Sequence, residues 1–144
     1  MNIVAAKAAK QLSEANFLVA DKLYQEGNYY DWTVVVLFYS ACALITSICE
    51  LNGVVVPDRH KGYYNNKSKK YIKGMLNICQ EYLSINSYQN YSYLLVWSQM
   101  LRYKPARIIA FKSHPQTAEG IKKMFTMFKD ILKDYNFKYG GNLK

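Results

Sequence analysis

The sequence predicts an all-α fold, a four- to five-helix up-and-down bundle, and three observations lead there. Apolar residues recur at three- and four-residue steps through most of the 144 positions. Gly27-Asn28, Asn52-Gly53, Ser84 to Ser87 and Pro105 punctuate the chain at intervals suited to helices. Apolar residues make up 51% and aromatics 15%, enough for one packed core and incompatible with intrinsic disorder. The length excludes two ordinary domains, so residues 1–138 are expected to form one domain and 139–144 a frayed tail.

The first helix is expected over 3–26, where Val4, Ala8, Leu12, Ala15, Val19 and Leu23 form one stripe with Lys7, Lys10, Glu14 and Asp21 off it. Gly27 suits the left-handed position that ends a helix. Asp31 is the expected N-cap of a second helix reaching about Leu51, and the short connection makes the pair an antiparallel hairpin. Pro57 keeps Val56 extended, and Asp58 to Lys70 reads as a polar, basic loop. A third helix is expected from about Ser68 to Leu83, with Ile72, Met75, Leu76, Cys79 and Leu83 facing inward. A fourth spans about Tyr88 to Tyr103, burying Tyr91, Leu94, Leu95, Met100 and Leu101 before Pro105 breaks it. The last begins near Pro115 and uses Ile121, Met124, Phe125, Phe128, Ile131 and Leu132.

Trp32 to Cys49 is eighteen residues without a charge, the lower edge of a membrane span. Four Ser/Thr and a Tyr dilute it, and the amphipathic helices around it need an apolar partner, so it reads as the central helix of a bundle rather than a span. Cys42, Cys49 and Cys79 are an odd set with no CxxC or CxxH spacing, which argues against a disulfide framework or a zinc finger. Free thiols in a reducing cytoplasm fit them, and no secretory signal is visible at the N-terminus.

The net charge of +9 is unevenly placed. Residues 59–118 hold ten Lys/Arg and one acid (Glu81), while residues 1–58 hold three Lys and six acids. An anionic partner is therefore sought in the middle of the chain. Arg59 to Lys73 (RHKGYYNNKSKKYIK) mixes six Lys/Arg, among them Arg59, Lys61, Lys67, Lys69 and Lys70, with His60 and three tyrosines. Cations neutralise phosphates and tyrosine rings stack on unpaired bases, a mixture suited to single-stranded RNA or DNA; the plainer alternative is a solubilising loop.

Arg102 to His114 (RYKPARIIAFKSH) carries Arg102, Lys104, Arg107 and Lys112 with the other histidine. An arginine holds a phosphate bidentately and stabilises a phosphorane-like transition state. A histidine takes a proton from a ribose 2′-OH or gives one to the leaving oxygen. Arg107 and His114, with six residues between them, supply both roles if folded together, and no metal or other cofactor is needed. The scarcity of carboxylates in this region leaves a two-metal nuclease site without ligands.

Taken together, these positions resemble the HEPN superfamily of small helical domains, many of them metal-independent ribonucleases. The resemblance covers about Ala15 to Tyr135. It rests on Trp32…Phe38-Tyr39-Ser40-Ala41…Ala43-Leu44, on the Pro-x-x-His-Lys-Gly element at Pro57 to Gly62, on Leu101-Arg102, and on Arg107-x6-His114. It implies a homodimer whose paired motifs line one cleft, with His114 as acid/base and Arg107 on the phosphate. The chain departs at Ile108, where relatives carry a polar residue. Other relatives carry Leu-Arg-x-x-Ala-Asp-Tyr at the end of this helix, and on that pattern Arg102 is the equivalent arginine. Two functions follow. One is a dimeric, metal-independent endoribonuclease, a toxin of a toxin–antitoxin pair or an antiviral effector, with Lys104, Lys112 and the 59–73 segment guiding RNA. The other is a non-catalytic module binding a nucleotide, nucleic acid or a nucleotidyltransferase-like antitoxin.

Overall fold

Asn2 opens the first helix: its side-chain oxygen accepts the Ala5 N–H at 3.1 Å, and α1 (Ile3–Glu26) runs to Gly27, whose φ of 75° is left-handed. This computed structural model describes residues 1–27, 29–103 and 117–143, the side chains of Thr117 and Ala118 excepted. The second helix, α2 (Tyr30–Asn52), starts one residue before Asp31. Asp31 is therefore not the N-cap; it sits in the first turn, where a carboxylate still favours the helix dipole. Tyr29 is the N-cap, with no side-chain cap bond, and its carbonyl accepts the first helical N–H and the Oγ1–H of Thr33, both at 2.9 Å.

A two-stranded antiparallel hairpin follows, β1 (Tyr63–Asn65) and β2 (Lys70–Ile72), with Tyr63 opposite Ile72, Tyr64 opposite Tyr71 and Asn65 opposite Lys70. The remaining elements are α3 (Met75–Tyr82), α4 (Ile85–Tyr103), α5 (Thr117–Tyr139) and a 3-10 turn over Gly140–Leu143. The fold is all-α, with five α-helices among the described residues.

The hairpin corrects the third helix, expected from Ser68. Ile72 falls at helical spacing from Leu76 and Cys79, but it belongs to β2, and the helix starts at Met75. The cause is a close backbone crossing. The N–H groups of Met75 and Leu76 donate to the carbonyls of Arg59 and His60, both at 2.9 Å, so the first turn of α3 is tied to the preceding loop. A Cβ at Gly74 would collide with the backbone of His60, Lys61 and Gly62, so only glycine fits there. The fourth helix likewise starts earlier than expected, because Ser84 Oγ accepts the Ser87 N–H at 3.2 Å and caps it.

Helix α2 lies at the centre and packs against α1, α3, α4 and α5. Val34, Leu37, Phe38, Ala41, Leu44, Ile45 and Ile48 are wholly buried, so a helix long and apolar enough to cross a bilayer is mostly covered by its neighbours. Opposite it, α4 contributes Tyr91, Leu94, Leu95 and Leu101, and α5 contributes Ile121, Met124, Phe128, Ile131 and Tyr135. Met100 and Leu132, both expected inside, are half-buried. Ser47 ties three helices: its hydroxyl donates to the Ala6 carbonyl at 2.8 Å and lies 2.6 Å from the Tyr135 hydroxyl.

The inward side of α1 is the reverse of the expected stripe. Ala6, Ala9, Ser13 and Ala20 are buried, while Val4, Ala8, Leu12, Ala15 and Val19 are exposed. Small residues let α1 lie close to α2, and that contact selects the face. The exposed stripe borders an apolar groove of about 290 Å³ lined by Leu12, Asn16, Val36, Tyr39, Cys42, Ala43 and Thr46. At the other end, Gly140–Leu143 forms a 3-10 turn in place of the expected frayed tail, with Leu143 against the core. Cys42, Cys49 and Cys79 are free thiols, the last two buried.

Candidate nucleic-acid interface

Arg102 occupies the last turn of α4, where a cation complements the helix dipole. Its Nε–H donates to the Ser98 carbonyl at 3.2 Å, and Nη1–H donates to the Tyr39 hydroxyl at 2.7 Å. The guanidinium carbon lies 5.8, 5.3 and 5.1 Å from the ring centroids of Phe38, Tyr39 and Tyr103. Aromatic faces stabilise the cation without neutralising it. The ion pairs of the described residues join Lys10 to Glu14, Lys73 to Glu81 and Lys138 to Asp134, and none takes in Arg102. No carboxylate among the described residues pairs with it, and its planar fork matches the geometry of a phosphate.

His60 approaches the same corner from the α2–β1 loop. Its ring stands edge-on to Phe38, with centroids 5.0 Å apart, so Phe38 carries Arg102 and His60 together. The backbone bonds from Met75 and Leu76 hold the loop that presents it. Burial, and then the charge of Arg102, lower its pKa below 6.5, so the imidazole is neutral at pH 7. Nδ1 is buried without a hydrogen-bond partner among the described residues. An unpaired buried lone pair costs less than an unpaired N–H, which favours the proton on Nε2. His60 thus adds a neutral group beside the charged one.

Cys42 lies against this corner, its sulfur 3.4 Å from the Tyr91 hydroxyl. Burial pushes its thiol up to about 11, which keeps it protonated at neutral pH and unsuited to nucleophilic work. Burial does the same to Cys49 and Cys79, to about 11 and about 12.

The hairpin extends the basic surface. Arg59 stacks its guanidinium 4.2 Å from the Tyr63 ring centroid. Asn65 Oδ1 accepts the N–H groups of Lys67 and Ser68 at 2.9 and 3.2 Å, closing the turn, and Lys69 takes a left-handed φ of 55°. Lys61, Lys67, Lys69 and Lys70 are all exposed. Tyr64 and Tyr71 face each other across the strands and project from the opposite side to Tyr63.

Of the candidate residues, Arg102 and His60 are brought together, and Arg59, Lys61, Lys67, Lys69 and Lys70 lie on the adjoining loop and hairpin. Lys104, Arg107, Lys112 and His114 lie outside the described residues. Phe38 and Tyr39, which seat Arg102, were not among the candidates. The aromatic cluster of the central helix was their signal, but nothing local ties it to an arginine on another helix. Among the described residues, no three His, Cys, Asp or Glu side chains cluster. No family model, no characterised protein and no solved structure matches this chain.

Proposed function

We propose that the chain is a HEPN-type domain that binds RNA through its basic middle segment and cleaves it without a metal ion, acting as a cytoplasmic homodimer, a toxin or an antiviral effector. The observation that carries the RNA-binding part is Arg102. Its guanidinium is seated by the Ser98 carbonyl, the Tyr39 hydroxyl and three rings, and no carboxylate among the described residues pairs with it. Such a group costs little to desolvate further and gains most from a phosphate. In the cleavage step, the ribose 2′-oxygen bonds to the adjacent phosphorus and the bond to the 5′-oxygen breaks. His114 moves the proton and Arg107 stabilises the added negative charge.

The homodimer has an uncovered surface to use: the stripe of Val4, Leu12 and Val19 beside the α1–α2 groove. Self-association in sedimentation, weakened by Leu12→Glu, supports it, and a monomer at all concentrations tested removes that part.

A second function is favoured by the same corner. Arg102 meets His60 over Phe38, and it is the equivalent arginine of the Leu-Arg pattern carried by relatives that are often not demonstrably catalytic. A module that binds RNA, a nucleotide or a nucleotidyltransferase-like antitoxin without turnover needs only that. The two separate in one assay, incubation of the purified protein with RNA in EDTA. Cleavage lost in both His114→Ala and Arg107→Ala supports the ribonuclease. Binding without cleavage supports the module, and cleavage unaffected by either change removes both residues from the mechanism.

A further inference from the structure

Tyr64 and Tyr71 are directly paired across the two strands of the hairpin and lie on one face of it. Cross-strand neighbours stand about 5 Å apart, and both of these rings are large and flat. They are 56% and 57% exposed, although a tyrosine pair of this size ordinarily finds cover. One of them is also held in place. The Tyr71 hydroxyl lies against Gly62, where any Cβ would collide with it, and approaches Asn77 Oδ1 at 3.5 Å. Asn77 Oδ1 in turn accepts the Gly74 N–H at 2.9 Å, which fastens the tip of the ring to the start of α3. A ring fixed at its hydroxyl end with its face open loses little freedom when something lies on it.

The surroundings are cationic. Lys67, Lys69 and Lys70 stand at the turn, Arg59 and Lys61 at the base beside Asp58, and Glu81 on α3 is engaged by Lys73. Flat apolar faces with positive charge along their edges match a partner that is flat, apolar and negatively charged at regular intervals. Unpaired nucleotides have that chemistry, whereas a duplex hides its base faces.

We propose that Tyr64 and Tyr71 form a stacking platform for consecutive unpaired bases of single-stranded RNA, with Lys67, Lys69 and Lys70 on the flanking phosphates. The proposal rests on the RNA-binding function above and adds to it the two residues that select a single strand and the geometry by which they do so. Base stacking on the platform tolerates any sequence, because every base offers a π-face.

The probe is a single-stranded 2′-O-methyl RNA of roughly ten nucleotides, within the usual site size and resistant to cleavage. A duplex of the same length serves as the second ligand. The wild type is expected to prefer the single strand. Tyr64→Ala and Tyr71→Ala should each weaken single-strand binding about ten-fold or more and leave duplex binding and the salt slope unchanged. Tyr64→Phe keeps the ring and should bind within about three-fold of wild type. Equal losses on single strand and duplex, or wild-type binding by both alanine variants, overturn the platform. If those variants bind normally while Lys67→Ala, Lys69→Ala and Lys70→Ala together weaken binding, the platform falls and RNA binding stands. A wild-type protein that binds neither ligand removes both. Unchanged helical circular dichroism shows that a loss is not unfolding of the helical core, and local disruption of the hairpin would weaken single-strand and duplex binding alike.

Discussion

The Tyr39 hydroxyl accepts a 2.7 Å hydrogen bond from Nη1 of Arg102, 63 residues further along the chain. It joins the middle of the central helix to the end of α4, at the point where the basic segment begins. The bond aims the guanidinium rather than neutralising it. Tyr39→Phe should therefore cost less than about 1 kcal/mol of stability, because the site is partly exposed, yet weaken RNA binding several-fold. Combined with Arg102→Gln, its effect should be less than additive, as expected for residues acting through one contact. Additive losses would show that Tyr39 does not work through Arg102.

His60 gives the corner a pH dependence of definite sign. Burial and the Arg102 charge lower its pKa in the folded state below 6.5. The groups shown to face it are Phe38 from α2, in ring contact, and the charged Arg102 from α4, while Arg59 and Lys61 are its chain neighbours. The unfolded chain takes up a proton at higher pH than the folded one, so this contribution to stability is complete above pH 6.5 and is lost as the pH falls through the folded value. The melting temperature should decline on acidification from neutral pH, and His60→Gln should flatten that decline. In an NMR titration the His60 midpoint should lie below the ordinary histidine value and rise when RNA is added, because a phosphate beside it favours the charged form. A midpoint at the ordinary value would contradict the packing against Phe38 and Arg102.

The Ser47 hydroxyl holds α1, α2 and α5 in one buried contact. Both it and Tyr135 are fully buried, so the two possible deletions are unequal. Tyr135→Phe leaves Ser47 bonded to the Ala6 carbonyl and should cost about 1 kcal/mol. Ser47→Val leaves the Tyr135 hydroxyl and the Ala6 carbonyl without that partner and should cost about 1–3 kcal/mol or more. Urea denaturation monitored by circular dichroism checks the order, and an equal or reversed order would mean that water reaches the site.

The helices were legible because their periodicity and their stops agreed: Gly27 and Gly53 both end helices in the left-handed conformation. The inward face of α1 was not, because counting large apolar residues picks Val4, Leu12 and Val19, whereas close packing on α2 selects Ala6, Ala9, Ser13 and Ala20. The hairpin was hidden for a different reason. Its strands are three residues each, and Ile72 happens to stand at helical spacing from Leu76 and Cys79. Only the collision that any Cβ at Gly74 would cause shows where the helix must begin. For the site, residue type and charge singled out Arg102 and His60 separately. Their meeting on Phe38 depends on the packing of α2, α4 and the loop, which no local pattern records.

Arg102 is the phosphate-binding group on which RNA recognition most depends. The direct test is the affinity of wild type and Arg102→Gln for a non-cleavable single-stranded RNA across a salt series, followed by fluorescence anisotropy. Loss of one phosphate contact predicts binding weakened about ten-fold and a salt slope shallower by about 0.7, with the melting temperature nearly unchanged. Equal affinity and equal slope for the two proteins would contradict it.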